Sequence, residues 1–125
     1  MFSNLNPYTN CERGWFKSIK FKNKFYYCSS YEKRFLKFCE SSDKIKALQS
    51  IPFMIPYTDN NGMVRNYLAD FLVNQNIVIE IKPKSMLNYN HNLQKIKAGK
   101  EYCQNNGYEY KLLMENELAN LNHIL

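Results

Sequence analysis

Residues 68–84 read LADFLVNQNIVIEIKPK, and how that stretch folds decides the rest. LADFLV and IVIEIK have the composition of buried strands, yet each carries a carboxylate in its middle, Asp70 and Glu80, and Lys82 follows two residues on. A lone ionised carboxylate is costly to bury, so such residues call for a partner or a metal. Side chains alternate across a strand. Val78, Glu80 and Lys82 therefore share one face and Ile77, Ile79 and Ile81 the other, while Leu68, Asp70 and Leu72 lie opposite Ala69, Phe71 and Val73. If the turn at Asn74-Gln75-Asn76 pairs the two strands, Asp70 and Glu80 meet on one face beside Lys82.

Upstream, IPFMIPY (51–57) and MVRNYLADFLV (63–73) flank Asp59-Asn60-Asn61-Gly62, a strong turn cluster. With IVIEIK, stopped by Pro83, they predict a three-stranded antiparallel meander. Ser29 and Ser30 signal a helix start, and YEKRFLKFCE extends the helix to about Ser41. Residues 1–28 read as an N-terminal arm with a short hairpin around SIKFKNKFYY, turning at Lys22-Asn23-Lys24; residues 29–125 form a single domain. After the polar SMLNYNHN, LQKIKAGKEYCQ predicts a second helix closed by Gly107. YEYKLLM (108–114) is a fourth strand and ENELANLNHIL a short terminal helix. The fold class is α/β: helix, three strands, helix, strand, with a four-stranded mixed sheet flanked by helices.

Placed on a wheel at 100° per residue, the first helix gathers Tyr31, Phe35, Leu36, Phe38 and Cys39 into an apolar arc, and Glu32 falls inside it. A third carboxylate thus turns toward the packed interior. Three carboxylates and a lysine converging on one spot suit phosphodiester hydrolysis with a hard cation. Mg²⁺, with Mn²⁺ as a substitute, takes oxygen ligands and keeps several waters, so one or two carboxylates and a substrate phosphate hold it. The ion activates a water and neutralises charge on the leaving oxygen, and a nearby lysine steers that water and offsets charge on the phosphate.

At 125 residues the chain has the size of one domain. No segment approaches the roughly 20 apolar residues of a membrane span, and Met1 is followed by a polar stretch, so a soluble, cytoplasmic, non-secreted protein is expected. Cys11, Cys28, Cys39 and Cys103 are scattered without a CxxC pair and read as reduced thiols. The net charge of +6, with pI near 9.1, and the many Tyr and Phe residues fit a polyanionic partner such as DNA; an AT-rich genome would produce the same bias. Lys95, Lys97 and Lys100 on the second helix, Lys84 after the third strand and Arg65 beside the turn are the candidate DNA contacts, with an ordinary solvated surface as the alternative. His91 is either an auxiliary base or an exposed loop residue, and Trp15 and Phe16 are expected to pin the arm to the core.

An acid in the first helix, Asp on the second strand and Glu-x-Lys on the third resemble the PD-(D/E)xK, restriction-endonuclease-like nucleases, with Ala69 where the motif's name has proline. GWFKSIK, SSYEKRFLKFCE, IPYTDNNGMVRNYLADFLV, IEIKP and GYEYKLLMENEL, spanning residues 14–118, are similar to tailed-phage head-completion nucleases and to the endonuclease subunit of heteromeric cut-and-paste transposases. The resemblance implies Asp70 and Glu80 as metal ligands with the Ile81 carbonyl, Lys82 as catalytic lysine, and Glu32 completing or supporting the metal site. It implies a Mg²⁺-dependent DNA endonuclease, phage- or mobile-element-encoded, acting in packaging, end processing or transposition. A homodimer or a phage or transposition protein is the expected partner. The alternatives are a non-catalytic DNA-binding or assembly module on a nuclease fold, and a junction- or RNA-directed nuclease.

Overall fold

The structure is a computed structural model that describes residues 12–125; Cys11 and the first part of the N-terminal arm lie outside the described residues. A hairpin, β1 (Gly14–Ser18) and β2 (Asn23–Tyr27), leads into α1 (Ser30–Ser41). Strand β3 (Leu48–Gln49) precedes a second hairpin of β4 (Ile55–Thr58) and β5 (Val64–Tyr67). Then come β6 (Phe71–Val73), β7 (Ile77–Ile81), a 3-10 turn (Lys84–Met86), α2 (Asn92–Asn106), β8 (Glu109–Leu113), α3 (Glu115–Ala119) and α4 (Leu121–Ile124).

The central sheet has the order β3-β6-β7-β8. Its first two pairings are antiparallel and β7–β8 is parallel, with α2 as the crossover. This four-stranded mixed sheet between helices is consistent with a restriction-endonuclease-like fold. No helix among the described residues is long and apolar enough to cross a membrane.

The sheet is covered on both faces. Phe71, Val73, Ile79, Ile81 and Leu113 pack with Phe35, Leu36 and Cys39 of α1, and Phe35 stacks on Phe71 at 5.4 Å. On the other face Leu72 and Val78 join Tyr57, Tyr67 and Cys103. Burial on both faces explains why β7 reads as a nearly unbroken apolar run rather than an alternating one.

The expected meander is corrected at its middle strand. Residues 63–73 form two strands in different sheets: β5 pairs only with β4, whereas β6 pairs with β7 and, unforeseen, with β3. The reason is burial. Val64, Arg65 and Asn66 are exposed while Phe71, Leu72 and Val73 are all buried, and one regular strand does not serve both environments. Nor does IPFMIPY form one strand: only Ile55–Thr58 pairs, in a two-stranded hairpin that accommodates Pro56.

Two further boundaries shift. The first hairpin begins at Gly14, with residues 19–22 as its turn, because the Glu40 carboxylate at the end of α1 accepts from Ser18 Oγ (2.6 Å) and from the N–H groups of Ile19 and Lys20 (both 3.0 Å). Phe25 and Tyr27 are buried in the α1 cluster, so this part of the arm shares the core. The terminal helix is two short ones, interrupted at Asn120 with φ −130° and ψ 34°. The start of α1 and the end of α2 match expectation: Ser29 caps the first, and Gly107, at φ 78°, closes the second.

Candidate active site

Breaking the strand at residues 68–70 sets Asp70 at the entrance to β6. Its N–H donates to the Ile79 carbonyl at 2.9 Å, and its Oδ2 accepts from the Ile81 N–H at 2.7 Å. The main chain at Ile81, whose carbonyl the resemblance offers as a ligand, is thereby held against the Asp70 carboxylate. Opposite, Glu80 is only 6% exposed, and its Oε2 lies 3.4 Å from Lys82 Nζ. The two residues are neighbours on one strand face, as alternation requires.

These charges are held in a state that does not satisfy them. Burial raises the Asp70 pKa well above the usual aspartate range, and the Glu80 and Glu32 carboxylates raise it further, against the pull of the Ile81 N–H and Lys82. Burial pushes Glu80 up to about 7, opposed by Lys82 and Lys95. Glu80 Oε1 is buried without a hydrogen-bond partner. Such an atom costs free energy unless something fills its coordination. Two oxygen donors facing each other, one of them unpartnered, fit a hard cation.

Glu32 reaches this group from α1, which packs against Phe71, Ile79 and Ile81, and its charge acts on both Asp70 and Glu80. It also caps its own helix: Ser29 Oγ accepts the Glu32 N–H at 3.1 Å, and Glu32 Oε1 accepts the Cys28 N–H at 2.9 Å. This is a capping box reaching one residue further back than usual. Burial raises the Glu32 pKa, and Lys82 and Arg13 are near enough to oppose it. The bond to a backbone amide and the place beside the site therefore coexist.

The proposed DNA contacts divide. Lys95 is not on an open face. Its ammonium lies 5.7 Å from the Tyr57 ring, and burial, followed by Lys82, lowers its pKa while Glu80 opposes that. It is a second lysine facing the carboxylates. Lys97, Lys100 and Lys84 are exposed. Arg65 is committed to Asp59, with Nε 2.5 Å from Oδ2, and so fastens the turn between β4 and β5. His91 is not simply exposed: it precedes α2 with φ 60°, and its Nδ1 is buried.

Sequence reasoning missed the tyrosine wall. Tyr67 and Tyr110 both sense the Glu80 charge; burial first, and then that charge, raises both phenol pKa values. Both rings fit because position 99 is glycine. A Cβ there would strike the Tyr67 hydroxyl and lie 2.6 Å from Tyr110 Cε1. The readable signal was a glycine in the middle of a helix, where it is unfavourable by up to about 1 kcal/mol without a packing reason.

A family model described as the TnsA-like endonuclease N-terminal domain matches residues 42–115. No curated protein matches the chain. The matched segment is more than half of the sequence and contains Asp70, Glu80, Lys82, Lys95 and all four strands of the central sheet. The chain therefore belongs to the TnsA-like endonuclease N-terminal family.

Proposed function

We propose that the protein is a Mg²⁺-dependent DNA endonuclease whose work is strand cleavage in transposition. The observation that supports this most strongly is the meeting of Asp70 and Glu80, both with raised pKa values, beside Lys82. Among the described residues no three His, Cys, Asp or Glu side chains close into an ion-holding cluster. An ion here would thus rest on Asp70 and Glu80, with the Ile81 carbonyl, water and a substrate phosphate for the remainder, and Glu32 behind them. Bound there, Mg²⁺ would supply a water of lowered pKa and neutralise charge on the phosphate.

The protein's own groups do the rest. Glu80 holds Lys82 on the strand face, where its ammonium can donate to the attacking water or to a phosphate oxygen. Lys95 adds a second positive charge where negative charge develops. The tyrosine wall and the apolar flanks keep bulk water from screening these interactions. The family match favours a transposase partner; head completion in a phage remains the second setting for the same chemistry.

Supercoiled plasmid incubated with Mg²⁺, Mn²⁺ or EDTA tests the reading, alongside folded Asp70→Ala and Lys82→Ala. Nicking or linearisation that requires metal and falls at least about a hundredfold in each variant is expected. Binding without cutting, in any metal and on single-stranded, duplex or branched DNA, would leave a non-catalytic module.

A further inference from the structure

We infer that the outward face of the β1–β2 hairpin is a second DNA-contact surface, leading from the catalytic end of the sheet; the inference rests on the endonuclease reading. From Arg13 to Tyr27 the sequence has five basic residues and no acidic one. Alternation sends Phe25 and Tyr27 into the core and turns Trp15, Lys17, Lys24 and Tyr26 outward. Trp15 was expected to pin the arm; instead it is 64% exposed, and Tyr26 is 45% exposed. Phe16, partly buried, does the pinning.

The outward face is ordered but unfinished. Trp15 and Tyr26 are cross-strand partners with ring centroids 5.1 Å apart, and Lys24 Nζ stands 5.6 Å from the indole. Lys17 lies directly opposite Lys24, and with Lys22 they line a shallow groove at the hairpin's far end. Like charges directly opposed on a strand pair are destabilising. The nearby carboxylates are already engaged: Glu40 by the turn and Glu12 by Lys33 at 2.6 Å. A polyanion would relieve the repulsion, and bases would stack on the rings. A basic protein partner would not be accepted.

Position connects this face to the site. Cys28, the residue after β2, donates to Glu32, and Arg13, just before β1, acts on the Glu32 charge. The turn at the other end is tied to Glu40, at the far end of α1. The strands thus run alongside α1, away from the catalytic carboxylates. Five residues span roughly 15 Å, the reach of a few successive phosphates.

Trp15 is the chain's one tryptophan, so its emission reports this face alone. Asp70→Asn protein, which prevents turnover, is titrated with single-stranded and duplex oligonucleotides at several salt concentrations. Quenching of Trp15 is expected. Trp15→Ala, followed by fluorescent oligonucleotide anisotropy, should bind about tenfold more weakly. Lys17→Ala/Lys24→Ala should flatten the dependence of log K on log salt by about 1.4 to 1.8. On an otherwise wild-type background the lysine pair should raise KM and leave kcat unchanged, which a merely structural role would not do. Trp15 emission indifferent to DNA while wild type still cuts, or a lysine variant with wild-type KM and salt slope, overturns the inference and leaves the endonuclease reading intact. If wild type cuts nothing, that reading falls, and quenching of Trp15 by DNA still decides the hairpin face.

Discussion

Two regions bury carboxylates, and they treat them oppositely. At the turn between β4 and β5, Asp59 is 5% exposed and fully employed: Oδ1 accepts the N–H groups of Asn61 and Met63, each at 2.9 Å, and Oδ2 takes Arg65 Nε. The Arg65 bond first, then the Met63 N–H, lowers its pKa to about 2. At the start of β6, Asp70 receives one backbone N–H and faces two other carboxylates, so burial first, and then the Glu80 and Glu32 charges, raise its pKa. Burial alone therefore says little. A satisfied carboxylate organises its loop, whereas one left short of partners stores free energy that a ligand can recover.

The sharpest way to break this comparison is to neutralise each aspartate in turn. Asp70→Asn should abolish metal-dependent cleavage, a loss of at least about a hundredfold, yet raise the thermal midpoint measured without metal, because it removes a buried like-charge conflict. Asp59→Asn should do the reverse, lowering the midpoint and sparing most of the cleavage. Equal signs in a melting experiment would refute the distinction.

The tyrosine wall comes next. Gly99→Ala places a methyl group against Tyr67 and Tyr110, and overpacking of this kind costs about 1–3 kcal/mol. Urea denaturation should show that loss, with cleavage reduced as the rings beside Glu80 shift. A variant as stable as wild type would mean that α2 moves away without cost.

The smallest effect is a pH dependence. Asp59 has a depressed pKa in the folded state, so its contribution to stability is present above the ordinary value of 3.8 and is lost as pH falls through about 2. Urea midpoints of wild type and Asp59→Asn should differ at pH 6 and converge toward pH 2, where the Asp59 carboxylate takes up its proton in the folded state as well. A gap that persists there would assign the effect to the shape of the turn rather than to its charge.

Much of the site could be read from residues 68–84 because strand alternation is local: placing Glu80 and Lys82 on one face needs no knowledge of the rest of the chain. The same holds for the Ser29 cap and the Gly107 terminus, where a hydroxyl or a positive φ answers a demand made within a few residues. The turn Asp59-Asn60-Asn61-Gly62 was equally plain. Its role was not, since nothing local distinguishes Asp59, whose partner Arg65 lies across the hairpin, from Asp70.

What the tertiary structure alone decided is where strands end and what each charge faces. Residues 63–73 had the pattern of one strand, but Arg65 and Asn66 lie in an exposed hairpin and Phe71–Val73 in a sheet buried on both faces, so the chain changes sheets at Asp70. Leu48 and Gln49 became an edge strand by pairing with Val73 and Leu72, a choice set by the partner rather than by their own propensity. Glu32, Lys95, Tyr67 and Tyr110 come from separate elements, and their meeting near Glu80 depends on how both helices pack on the sheet. The alternation of residues 68–84 determined which side chains could react together; long-range burial, whose free energy no short window of sequence contains, determined that they do meet.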